Sequence, residues 1–351
     1  MQSKNGLLLT SLSLFTLAYS SGAVAANKYD PAALEDKTIH THHKKPHHKK
    51  KLVYIEPTHS QWNLGVTAIG AQPAYSQSTT YETITSSSLS GTTTTNESRR
   101  FSVNPSYDWG YEALLGYRFK GNDRDITASY MHFANTETDS TTNDNPANTV
   151  SPFFVDTAEG ELYSQLDMAD LVAGQRIHFG RPLTTRFYAG VAYARVQQEL
   201  TGEYDEGNVD SVGAGLPANT ITSTNSTFNG VGPKLGANAD YEICHSGFGL
   251  VGGVSAALLF GSLDASSTET QEFGAGGVIT STTVTKAHND PTATSVTNLN
   301  ANLGTRYDIA FRKQSLHLEL GYRINQFIDA VSTDNDMTLS GFYLNATGSF
   351  W

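Results

Sequence analysis

In the stretch SLHLELGYRINQFI, residues 315–328, Leu316, Leu318, Leu320, Tyr322 and Ile324 alternate with His317, Glu319, Gly321, Arg323 and Asn325. Successive side chains of a β-strand point to opposite faces, so a strand built from this stretch is greasy on one side and polar on the other. A helix would place Glu319 and Arg323 on the same stripe as Leu316 and Leu320, which removes the helical reading.

The same period recurs along most of the chain. It begins at WNLGVTAIG (62–70) and continues through YEALLGYRF (111–119), DITASYMHF (125–133) and MADLVAGQRIHF (168–179). TRFYAGVAYARV (185–196), VGPKLGANADYEI (231–243), FGLVGGVSAALLFG (248–261) and NLNANLGTRYDIAF (298–311) follow, then the stretch quoted above and a terminal LSGFYLNATGSFW. DITASYMHF is ambiguous in phase. About ten strands are predicted, with 8 to 12 as the range, each close to the roughly 9–11 residues that cross a bilayer obliquely.

Connections alternate in length. Those near 120–124, 180–184, 244–247 and 312–314 are brief, whereas those near 76–107, 135–160, 201–226 and 263–294 are long and rich in Thr, Ser and Asn. A soluble sandwich also alternates in period 2 but has no reason to alternate its connections. Short turns at one end and long loops at the other describe an all-β, transmembrane antiparallel β-barrel with periplasmic turns and extracellular loops. Closure pairs every backbone amide between strands and leaves no edge in lipid. Tyr111, Tyr117, Phe119, Phe179, Phe187, Phe311, Phe342 and Phe350 sit near run ends, where interfacial girdles form.

The first residues agree with export. Lys4, an apolar run from Gly6 to Tyr19 and the triplet Ala23-Val24-Ala25 read as a cleavable signal peptide over residues 1–25. Residues 26–60 form a flexible His/Lys-rich periplasmic arm centred on THHKKPHHKKK, and 61–351 the barrel. The expected location is the outer membrane of a Gram-negative bacterium, with outer-membrane lipid and lipopolysaccharide as surroundings. The arm is drawn to anionic cell-wall polymer, and a homo-oligomer is open. The formal charge of −11 argues against nucleic acid as a partner.

If the apolar face meets lipid, the opposite face lines the interior. Its charged members are Glu112 and Arg118, then Asp170 and Arg176, Arg186, Lys234, Asp240 and Glu242, Arg306 and Asp308, and finally Glu319 and Arg323. Facing charges either line a narrow aqueous path or pair across the interior and plug it. No catalytic residue or cofactor is expected: His132, His178, His245 and His317 are scattered over different strands, without a nucleophile signature. In the arm, His42, His43, His47 and His48 are weak metal candidates against the simpler reading as a tether. The single cysteine, Cys244, cannot form an intramolecular disulfide.

Four segments, FNGVGPKLGANADYEI (228–243), FGLVGGVSAALLFGSL (248–263), HLELGYRINQFIDAV (317–331) and GFYLNATGSFW (341–351), carry a family resemblance. They are similar to the Legionella-type major outer membrane protein family, over about residue 61 to the end. That resemblance implies a pore-forming barrel, a porin-like passive channel for ions and small polar solutes. The alternative is a structural or adhesion barrel with a closed lumen, acting through its surface loops.

Overall fold

The computed structural model describes residues 60–350, with breaks at 77–78, 91–92, 122, 143–156, 180–181, 206–217, 244–245, 276–277, 312–313 and 333–334. All of these belong to one compact unit, Ile55–Trp351. The expectations for the signal peptide, the arm with its histidines, His245 and Cys244 lie outside the described residues.

Among the described residues twelve strands follow one another: β1 (Gln61–Tyr75), β2 (Thr80–Ser90), β3 (Thr93–Ser102), β4 (Asp108–Arg118), β5 (Arg124–Thr142), β6 (Thr157–Phe179), β7 (Leu183–Asp205), β8 (Asn219–Glu242), β9 (Phe248–Ala275), β10 (Val278–Ala310), β11 (Gln314–Ser332) and β12 (Asn335–Phe350). Ten close a ring in the order β1-β12-β11-β10-β9-β8-β7-β6-β5-β4, with β1 also bonded to β4. Every pairing in the ring is antiparallel, and closure sets Trp62 opposite Phe350 on one side and Tyr117 on the other.

The side chains take the faces that the alternation predicts. Leu64, Leu235 and Leu303 are 54%, 64% and 70% exposed, values that place them on the outer wall rather than in a core. Aromatic side chains gather at the end with the tight turns, where Trp62 stacks at 4.8 Å on Tyr117 and Phe248 at 4.6 Å on Tyr307. At the other end of the apolar band the Tyr322 and Phe342 rings meet edge-on at 5.2 Å. Such rings suit the boundary between hydrocarbon and headgroups. The tight turns include Gly121 and Gly247 at φ of 70° and 82°, a region open to glycine without steric penalty. Leu303 lies within the outward run Leu299 to Phe311, so Leu303→Arg is expected to cost about 2–4 kcal/mol. The measurement is the urea midpoint for folding into lipid vesicles, and an unchanged midpoint would mean that this face does not meet hydrocarbon.

The long connections differ from expectation. Within these ranges 135–142, 157–160, 201–205, 219–226, 263–275 and 278–294 are strand, continuing the ring upward as a wall of β5 to β10. β10 alone has 33 residues, roughly 110 Å of contour at about 3.3 Å each, against an apolar band of about 25 Å. Residues 279–293 of β10 lost their sequence signature because they are exposed throughout, and Thr and Ser then replace the apolar partner in each alternation, whereas Ala158, Leu162 and Tyr204 keep a buried inner face. Within 76–107 the chain forms the β2–β3 ribbon, which lies against β6 and β7. Below it Val103, Ala158 and Leu162 are buried with Tyr204 in a small cluster.

Candidate functional site

The interior has two zones. Toward the tight turns many inward positions are charged, and most of these keep part of the side chain exposed; toward the wall they are buried and mainly apolar, with Ser164, Ser226, Asn298 and Asn325 among them.

In the charged zone most of the pairs bridge strands. Arg186 on β7 reaches across β6 to Asp125 on β5, with Nε 2.9 Å and 3.0 Å from the carboxylate oxygens and Nη2 2.5 Å from one of them. It passes over Gly174, where any Cβ would stand 2.5 Å from Arg186 Nε. Arg176 lies 3.7 Å from the same carboxylate, and Arg118 binds Asp123 at 2.5 Å. Lys234 on β8 donates to Asp170 on β6 at 2.6 Å. Arg306 forms an ion pair with Asp240 and a second, at 2.8 Å, with Asp308. Glu319 stands opposite Arg306 in register, and Glu242 opposite Gly249 at the rim. Arg323 Nη1 donates to Glu112 at 2.6 Å across three places of the ring, and its guanidinium lies 5.4 Å from the Tyr343 ring centre.

Above this zone a seal crosses the lumen. Phe133, Phe228, Phe327, Leu166, Leu259 and Met337 are fully buried in one cluster with Ile69, Met131 and Met168. Asn325 on β11 donates to Met168 Sδ on β6 at 3.1 Å. These two strands stand five places apart in either direction round the ring, so that contact bridges the full diameter. Asn298 braces Asn325 at 2.6 Å. The gap between the bridge and the seal, bordered by Ile69, Met131, Arg323, Asn325 and Leu339, has room for about one water.

The β11–β12 turn closes the seal from above. A register shift after Phe327 folds Ala330 and Val331 inward, at 0% and 4% exposure, and holds Asp329 at a φ of 61°. The Val331 carbonyl accepts from Ser226 Oγ. Asp336 N–H donates to Ser76 Oγ at 2.8 Å, clasping the turn to the end of β1.

The structure therefore places all twelve candidate residues on interior positions, most of them joined in pairs. Sequence reading missed Asp125, the most buried carboxylate of the set at 2% side-chain exposure. It stands in the run of ambiguous phase, ambiguous because Met131 and Phe133 point inward and are as apolar as their outward neighbours Ile126 and Tyr130. The histidines are less isolated than their scatter implied. His132 lies 2.7 Å from Asp167 and His317 2.6 Å from Asp308, each on a neighbouring strand, and His178 lies 3.2 Å from Asp123 in the β4–β5 turn. Among the described residues no group of three or more His, Cys, Asp or Glu side chains is placed to hold a metal ion.

The model of the family described as Legionella pneumophila major outer membrane protein precursor matches residues 55–349. No curated protein matches the chain. Solved structures similar to it include the outer membrane protease OmpT of Escherichia coli, with a TM-score of 0.38 and 13% identity over 83% of this chain and 96% of that one. A major outer membrane protein of Thermus thermophilus follows, at 0.31 and 11% over 83% and 99%. The Ralstonia pickettii toluene transporter TbuX matches at 0.31 and 9% over 84% and 90%. Likeness at this level leaves the activities of those proteins with those proteins. The family match instead covers the entire ring but for its last residue, and the chain belongs to the Legionella pneumophila major outer membrane protein family, an outer-membrane β-barrel.

Proposed function

We propose that this protein is a narrow, porin-like pore of the outer membrane whose path is shut at rest. The observation that carries the reading is the order of the two zones: a charged vestibule that admits water stops at the Arg323–Glu112 bridge and a Met-rich seal. A barrel that served only as an anchor gains little from such a vestibule, since ion pairs in contact with water add little stability and buried ones are rarely more stabilising than apolar packing. Methionine side chains are unbranched and adaptable, so Met131, Met168 and Met337 suit a barrier that must rearrange. The vestibule charges would then act as the selective lining for small ions and polar solutes.

The wall of β5 to β10 favours a second reading, a closed barrel that displays a tall polar surface for adhesion. Planar bilayers loaded with the detergent-purified protein separate the two. The pore reading expects brief, small conductance steps from a mostly closed wild type. Silence at every potential, from wild type and from a variant with a reduced seal, would leave the display barrel.

A further inference from the structure

On the vestibule wall three side chains are hydrogen-bonded in series. His317 Nδ1 lies 2.6 Å from Asp308 Oδ1, and His317 Nε2 lies 3.0 Å from Ser315 Oγ. The carboxylate therefore meets one ring nitrogen and the hydroxyl meets the other. A carboxylate at Nδ1 favours the tautomer protonated there, which leaves the lone pair of Nε2 facing the hydroxyl.

The fold makes this arrangement rigid. Ser315 and His317 are two residues apart on β11 and so share its inward face. Asp308 is the direct register partner of His317 on β10. The second oxygen of Asp308 is held 2.8 Å from Arg306 Nη2, which fixes the carboxylate plane. The His317 side chain is 31% exposed, enough for a small solute in the vestibule to reach it.

The geometry points to Ser315 as an activated nucleophile that takes acyl groups from small esters entering at the end with the tight turns. His317 is the general base and Asp308 the positioning residue. Ser315 Oγ bonds to the ester carbonyl carbon as its proton passes to His317 Nε2. The adduct collapses, the bond from carbonyl carbon to alkoxy oxygen breaks, and the alcohol leaves with that proton. A water molecule, deprotonated by His317 in turn, cleaves the acyl-serine to the acid and restores the hydroxyl. The sum is ester plus water giving acid plus alcohol.

Ser315 pairs with Ala310 on one side and Ser349 on the other, so its own backbone N–H lies in a ladder environment rather than at an open oxyanion site. Stabilisation of a developing oxyanion is commonly the largest catalytic contribution. Acylation and deacylation, which both pass through that oxyanion, are accordingly expected to be slow. This inference does not depend on the pore reading.

The test uses the full-length barrel in detergent, its folded state verified by heat-modifiable electrophoretic mobility, and a fluorophosphonate probe, which phosphonylates activated serines with loss of fluoride. The expected adduct maps by mass spectrometry to Ser315 and not to Ser129 or Ser255, which face the same lumen. It disappears in Ser315→Ala, and His317→Ala slows its formation by about 100-fold or more, the usual worth of a general base. Three results would overturn the assignment: no adduct on Ser315 of the folded wild type, labelling of Ser315 no faster than of the other two serines, or an unchanged rate in folded His317→Ala. The first two need no variant, so a variant that fails to fold cannot shield the proposal.

Discussion

Phe327→Ala is expected to destabilise the barrel by about 3–5 kcal/mol, the range for truncating a fully buried phenylalanine, and to lengthen its open states. Phe327 is fully buried in the seal, on the strand that reaches across the diameter to Met168. Its removal takes away both the transfer free energy of the ring and the contacts of its neighbours, because a packed interior relaxes only in part. The vestibule lies directly beneath, so the space left is within reach of water through the Arg323–Glu112 gap. Urea unfolding of the vesicle-inserted protein, followed by tryptophan fluorescence, measures the first effect and single-channel recording the second. A loss below about 0.5 kcal/mol, the level of an ordinary surface change, would show that the seal is not a packed layer.

The second large effect is expected at Asp125. Asp125→Ala should cost about 3–5 kcal/mol, because it strips the partner from a buried charge. Arg186 keeps its guanidinium at 14% side-chain exposure and loses the carboxylate that it grips, which Arg176 also faces. The penalty belongs to the stranded arginine more than to the pair itself. Asp125→Ala combined with Arg186→Ala should therefore be less destabilised than the sum of the two single variants, by a coupling energy of about 0.5–3 kcal/mol. Simple additivity in the same urea titrations would show that the two side chains do not act as one unit.

How much of this was legible in advance differs from residue to residue. Leu299, Leu303, Tyr307 and their polar neighbours declare two faces, because hydrocarbon on one side and water on the other impose opposite demands on successive residues. Asp125 was hidden where the lumen itself turns apolar and that contrast fails. The upper part of β10 was hidden for the converse reason: Thr283 and Thr285 are exposed, as is every residue from 279 to 293, and no period survives.

The chain alone determined the strand class, the approximate number of passes, the outward band and most of the inward charges, all local consequences of alternation and of breaks in it. It did not determine whether those charges line a path or close one. Arg323 and Glu112 are 211 residues apart in sequence, and Met168 and Asn325 are 157 apart. Their meeting depends on ring closure, on the register of each ladder and on a ring of ten strands, narrow enough for opposite walls to touch. Register and closure are properties of the assembled ring, and no single strand contains them.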